Sequence, residues 1–98
     1  MAIYEISVDH AFTASHAVLM PSGEMEAPHR HNWLVSVSLR GQVDPRSGMV
    51  ADFLTVKDAV VNVCGLMDGM DLNALKLLGG DIPTAERVAR FVAEELVR

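Results

Sequence analysis

The chain holds a single cysteine, Cys64. One thiol cannot close an internal disulfide, and the composition reads as that of a cytoplasmic protein. Basic residues are scarce: 8 Lys plus Arg stand against 13 Asp plus Glu, for a formal charge of −5. That deficit argues against nucleic acid as the main partner, because phosphate neutralisation needs a basic face. No apolar run approaches the ~18 residues of a membrane span. The opening Met1-Ala2-Ile3-Tyr4-Glu5 has no positive leader ahead of an apolar stretch, so no signal peptide is expected. Internal repeats and low-complexity segments are also missing. What remains is globular composition, 50% hydrophobic and 21% charged, in 98 residues. That is one domain, 1–98, small enough that neighbouring subunits are a reasonable way to cover its surface.

Residues 3–12 alternate, with Tyr4, Ile6, Val8, His10 and Phe12 on one parity and Glu5, Ser7 and Asp9 on the other. This is the pattern of a half-buried strand, and the same parity puts Ala14 and His16 on its inner face if no bulge intervenes. Pro21, Ser22, Gly23 and Pro28 make 17–28 a loop. A second alternation places Trp33, Val35, Val37 and Leu39 on one face. Gly41 to Gly48 reads as a turn and Met49-Val50-Ala51 as a short extended piece. Asp52 then caps a helix carrying Val56, Val60, Val63 and Met67, with Gly65 weakening its end. Residues 68–82 are irregular, with a turn at Gly79-Gly80. Pro83-Thr84 opens a last helix, whose apolar stripe is Ala85, Val88, Ala89, Val92 and Leu96. The order strand, strand, helix, helix predicts an α+β fold.

Three of the four histidines sit where a metal site needs them. His29 and His31 are two apart at the start of the second strand and so project from one face, the inner one shared with Trp33 and Val35. His16 supplies a third imidazole if the two strands are antiparallel neighbours. Three neutral nitrogens leave one tetrahedral position of Zn²⁺ open to water or substrate, the arrangement of catalytic zinc. His-x-His pairs are also common without metal. His10, on the apolar face, reads as a hydrogen-bonded core residue rather than a ligand, and Cys64 as a small core hydrophobe.

Five motifs in order carry a family resemblance: Phe12-Thr13-Ala14-Ser15-His16; His29-Arg30-His31-Asn32; Gly48-Met49-Val50-Ala51-Asp52-Phe53 with Lys57; Asp68 with Leu72-Asn73; and Pro83-Thr84-Ala85-Glu86. From about Tyr4 onward the chain resembles the 6-pyruvoyltetrahydropterin synthases, a family that includes the 6-carboxytetrahydropterin synthases of queuosine biosynthesis. The resemblance implies the tunnelling fold (T-fold), in which subunits join their sheets into a barrel with helices outside. Trimers stack into hexamers, and active sites lie between subunits. It implies zinc on His16, His29 and His31, and 7,8-dihydroneopterin triphosphate as substrate. Zinc there polarises the side-chain oxygens of the pterin and acidifies the adjacent C–H bonds.

The family's usual relay is a cysteine four residues before the His-x-His pair, activated by an Asp and a His. Here that position is Met25, and the Asp-His pair aligns with Asp68-Gly69, so only Asp68 survives. Glu24 and Glu26 flank the missing cysteine. Glu24, five residues before His29, resembles the spacing of a branch that uses glutamate and makes 6-hydroxymethyl-dihydropterin for folate synthesis. A carboxyl can serve as base if burial brings its pKa toward neutrality; otherwise both are solvated loop charges. Arg30 stands where glycine is usual and faces away from the site, toward solvent or a neighbouring subunit. Family members continue past the second helix into a hairpin that completes a four-stranded sheet and carries a pterin-anchoring glutamate. No residue up to Arg98 takes that role.

Three functions compete on these residues. One is a zinc-dependent pterin lyase, with Glu24 and Asp68 as catalytic candidates and a homo-oligomer as the working form. Another is a catalytically degenerate member that keeps zinc and binds a pterin or a protein. The last is an unrelated three-histidine zinc hydrolase.

Overall fold

A computed structural model describes residues 2–97. In chain order it runs strand β1 (Tyr4–His16), strand β2 (His29–Gly41), helix α1 (Phe53–Gly65), two short 3-10 turns (Leu72–Ala74 and Lys76–Leu78) and helix α2 (Ala85–Leu96). The class is α+β, in the element order expected from the alternation and the caps.

β1 and β2 pair antiparallel in unbroken register, from Tyr4 opposite Gly41 to His16 opposite His29. With no bulge, the period of two carries through the whole strand. Val8, Phe12, Ala14 and His16 are therefore buried on one face, while Glu5, Ser7, Asp9 and Ala11 are exposed on the other. His10 departs from expectation. It is half-buried opposite Val35, and its ring makes no hydrogen bond among the described residues. Partial exposure leaves water to serve the imidazole, so burial sets no demand for a protein partner.

The 17–28 loop continues the hairpin before it reverses. Glu26 N–H donates to Val18 O (3.0 Å), Met20 N–H to Glu24 O (2.8 Å), and Leu19 bridges Met25. Gly23 takes a φ of 91°, the left-handed region open to glycine, and this closes the turn. Met49 is irregular and Val50 and Ala51 form a bend, rather than the extended piece expected. Asp44 N–H donates to Met49 O at 2.9 Å, which folds that stretch back on its own turn.

α1 begins at Asp52, whose carboxylate accepts from Leu54 N–H and Thr55 Oγ1–H. Its Val60, Val63 and Cys64 are buried on β1 with Met67 and Leu72 beyond. α2 is capped by Thr84, whose hydroxyl accepts from Arg87 N–H. It buries Val88, Phe91 and Val92, so the expected stripe is displaced: Phe91 joins it while Ala85 and Ala89 are exposed. The reason is the partner. α2 packs on α1 rather than on β2, and its alanine side borders an open groove of about 440 Å³ facing Trp33, Val35 and Val37.

Candidate metal centre

The site forms at the last pair of the β1–β2 ladder. Register places His16 directly opposite His29 and Ala14 opposite His31. All three imidazoles thus rise from one face within two residues of each other, as parity predicts. Their ring centroids lie 4.8 Å (His16–His29), 5.2 Å (His16–His31) and 4.2 Å (His29–His31) apart. One nitrogen from each falls within 4.8 Å of the other two. Ala14, fully buried between Phe12 and His16, is small enough to leave the space above it to the His31 ring.

His16 is held from several directions. The residue is 7% exposed, and its Nδ1 lies 2.7 Å from Pro83 O. A carbonyl only accepts, so Nδ1 carries the proton and the Nε2 lone pair is free. The backbone after it is pinned by one amide: Asn73 Oδ1 accepts from Ala17 N–H (2.8 Å) and Asn73 Nδ2–H donates to Ala17 O (2.9 Å). Ser15 N–H donates to Met70 O (3.0 Å), so the 68–73 segment runs along the otherwise free edge of β1. Trp33 walls the site, its indole N–H donating to Ala14 O at 3.2 Å and its ring 4.8 Å from His16.

The donor set suits a borderline metal. Three imidazole nitrogens, without thiolate, are ligands that Zn²⁺ accepts at about 2.0–2.1 Å, and two such nitrogens on a tetrahedral ion lie about 3.3 Å apart. His29 Nε2 and His31 Nε2 face each other at 2.6 Å, and the full set spans up to 4.8 Å. That range brackets the required separation, so modest ring rotation meets it. The residues fit the ion.

The proposed acid–base groups are placed differently from one another. Asp68 Oδ1 accepts from Thr13 N–H at 3.0 Å, on the edge of β1 three residues before His16. Glu24 is exposed at the loop tip, and its side chain makes no hydrogen bond among the described residues. Glu26 is the carboxylate on the site: Oε1 is 3.4 Å from His29 Nδ1 and accepts from Val18 N–H at 3.1 Å. Cys64 is buried away from the imidazoles, as expected for a core residue. Burial pushes its thiol pKa up, with the Asp68 carboxylate adding to the effect, so it is no ready thiolate. Arg30 is exposed on the outer face opposite Ser15, and Met25 is exposed beside Leu19. Sequence reasoning did not assign roles to Pro83 or Asn73 in holding His16. Both lie in motifs it had noticed, but a main-chain acceptor and a backbone clamp have no residue signature of their own.

Fold and site define a class: an α+β subunit that gathers three histidines at the end of a two-stranded ladder. The chain belongs to the 6-pyruvoyl tetrahydropterin synthase family, whose family model matches residues 5–98. It is 36% identical over 69 residues to a putative 6-pyruvoyl tetrahydrobiopterin synthase of Caenorhabditis elegans, covering 69% of this chain and 49% of that one. It is 33% identical over 86 residues to a dihydroneopterin monophosphate aldolase of Pyrococcus furiosus, covering 88% of this chain and 68% of the relative. The chain thus spans about half the length of the first relative. The structure of the Caenorhabditis elegans 6-pyruvoyl tetrahydropterin synthase superposes with a TM-score of 0.82 at 27% identity, over 98% of this chain and 78% of that one. A Plasmodium vivax 6-pyruvoyltetrahydropterin synthase, solved with a catalytic glutamate changed to alanine, matches at TM-score 0.61 and 32% identity over 69% of this chain and 42% of that one. The subunit is therefore a T-fold subunit, and an unrelated zinc hydrolase drops out.

Proposed function

We propose that the chain is a zinc-dependent pterin lyase acting on 7,8-dihydroneopterin triphosphate, with His16, His29 and His31 as the metal ligands. The observation that carries this reading is the convergence of the three rings, with one nitrogen each inside 4.8 Å. Zinc bound there supplies a Lewis acid for the side-chain oxygens of the substrate. The chain's own residues do the rest. His16, buried and with its Nδ1 proton on Pro83 O, keeps a fixed lone pair toward the centre. Trp33 shields one side from water. Glu24, the base its spacing from His29 suggests, takes the proton of the side-chain hydroxyl beside the C–C bond that breaks; that hydroxyl becomes the carbonyl of the departing phosphorylated two-carbon fragment, and the carbon left on the pterin takes up a proton. The catalytic glutamate of the Plasmodium vivax relative supports a carboxylate in place of a thiol. The aldolase relative supports cleavage to 6-hydroxymethyl-dihydropterin as the outcome. The working form in this reading is a cytoplasmic homo-oligomer.

One observation favours a second reading. Met25 and Gly69 replace two members of the family's relay, and the surviving Asp68 carboxylate is engaged by Thr13 N–H. A zinc-binding member that holds a pterin or a protein without turnover fits those facts.

Two measurements separate the readings. Purified protein should hold near-stoichiometric zinc, lost in His31→Ala; full zinc retention in that variant refutes the ligand set. Zinc-loaded protein given dihydroneopterin tri- or monophosphate should release a cleaved pterin, followed by chromatography. Absence of turnover sinks the lyase reading and leaves the binding one. Glu24→Gln should lower the rate by about 10²–10⁴-fold, the usual worth of a general base.

A further inference from the structure

We infer that β2 is a docking edge for a second copy of this chain, whose own β2 pairs with it antiparallel about a two-fold axis at Leu34. The inference extends the homo-oligomer of the reading above and does not depend on its metal or its chemistry. The two edges of the hairpin are treated differently. On β1 the outward main-chain groups are taken: Asp9 O accepts from Lys57 Nζ (3.3 Å), Thr13 N–H donates to Asp68 Oδ1 (3.0 Å), Thr13 O accepts from Gly69 N–H (2.6 Å) and Ser15 N–H donates to Met70 O (3.0 Å). Those residues are all odd-numbered, so their ladder partners Ser36, Asn32 and Arg30 also turn N–H and C=O away from the hairpin. The even positions of β2, from 30 to 40, therefore present a row of main-chain donors and acceptors, none with a partner among the described residues. A bare edge of that length is a template for another strand.

Surface area, side chains and charge point to this chain itself as the partner. It exposes 6762 Å², whereas a compact monomer of 10.6 kDa exposes about 5,500 Å². The excess of about 1,300 Å² is larger than the roughly 800 Å² that each partner gives to a stable interface. The apolar groove beside α2 is lined by Leu34, Ser36 and Ser38 as well as Trp33, Val35 and Val37, and by no β1 residue. It therefore lies at the β2 edge, where an added strand sets its inner side chains against it. Leu34, 70% exposed, is the one large apolar side chain on the outer face of the sheet. Placing it on the axis covers it with Leu34 of the partner subunit. Asn32 then faces Ser36 of the partner subunit, Arg30 faces Ser38 of the partner subunit, and Trp33 faces Val35 of the partner subunit. An axis at Val35 instead sets Arg30 against Arg40 of the partner subunit, and like charges directly opposite are destabilising. With the axis at Leu34, the partner's Val37 and the partner's Leu39 come beside His31 and His29, so the second copy borders the metal centre.

The test is association of the whole chain, with cross-linking as a position-specific readout. Sedimentation of the wild type should show a dimer, or a multiple of it, at micromolar concentration. Leu34→Cys sets two thiols opposite each other with Cα atoms about 5.5 Å apart, within disulfide reach, so oxidised glutathione should give a covalent dimer. Ala11→Cys, opposite Leu34 in the hairpin and exposed on the same face, should give none. Its counterpart lies three strand spacings away, about 14 Å. Cys64 is buried and does not compete. Leu34→Lys puts like charges on the axis and removes two covered leucines, so the dissociation constant should rise about 100-fold. Should that variant not fold, the cross-linking pair still decides. A strictly monomeric wild type overturns the inference, as does a Leu34→Cys protein that cross-links no faster than Ala11→Cys. An assembly unchanged by Leu34→Lys overturns it too. Zinc content measured on the same samples reports the metal reading separately, so failure of one is distinguishable from failure of the other.

Discussion

His16 shows how a single side chain can be over-determined. Strand parity turns it inward, Pro83 O orients the ring, and Asn73 clamps the backbone at Ala17. Only the first of these was legible in the chain, because parity is a local property and the other two partners lie 67 and 56 residues from the groups they bind. The clamp is measurable. Asn73→Ala removes two partly buried hydrogen bonds to Ala17, and the apo protein should lose about 1–3 kcal/mol in urea unfolding. Zinc affinity should fall with it, since the backbone beneath His16 is then free to shift. A variant as stable as wild type would show that the 68–73 segment holds the β1 edge without Asn73. The two loop carboxylates teach a related lesson. Spacing singled out Glu24, whereas contact with a histidine belongs to Glu26, and the difference is one of turn geometry around Gly23.

At the level of elements, caps and alternation were readable and packing partners were not. Asp52 was expected to start α1 and does, with its carboxylate on Leu54 N–H and the Thr55 hydroxyl. Asp52→Ala should cost about 0.5–2 kcal/mol, typically near 1, seen as a lower urea midpoint with unchanged slope. No loss would mean that Thr55 or water caps the helix equally well. α2 is the contrary case. Helical periodicity marks every apolar position on it but cannot say which neighbour it meets. By lying on α1, the helix buries Phe91 and leaves Ala85 and Ala89 on the groove. Both strands are 13 residues long, over twice the usual length.

The whole molecule is drawn out rather than round. Its extents are 54 × 25 × 21 Å and its radius of gyration 16.2 Å, against about 13 Å for a compact chain of this length. The long hairpin outruns the helices that cover it, and Leu34, Tyr4, Ile3 and Leu54 are more than half exposed. Among the described residues no helix is long and apolar enough to cross a membrane. An assembly of several copies is the expectation from the family, and sedimentation should give a native mass several-fold above the monomer. A strict monomer at micromolar concentration would contradict a joined-sheet barrel.

Two periodicities inherent in the chain decided much. Alternation by two, carried through unbroken pairing, put His16, His29 and His31 on one face, because side-chain direction in a strand depends only on counting. Folding decided the rest. Which nitrogen His16 offers, which carboxylate lies beside His29, and which face α2 buries all depend on groups brought together from distant parts of the chain, several of them main-chain atoms that every residue type shares.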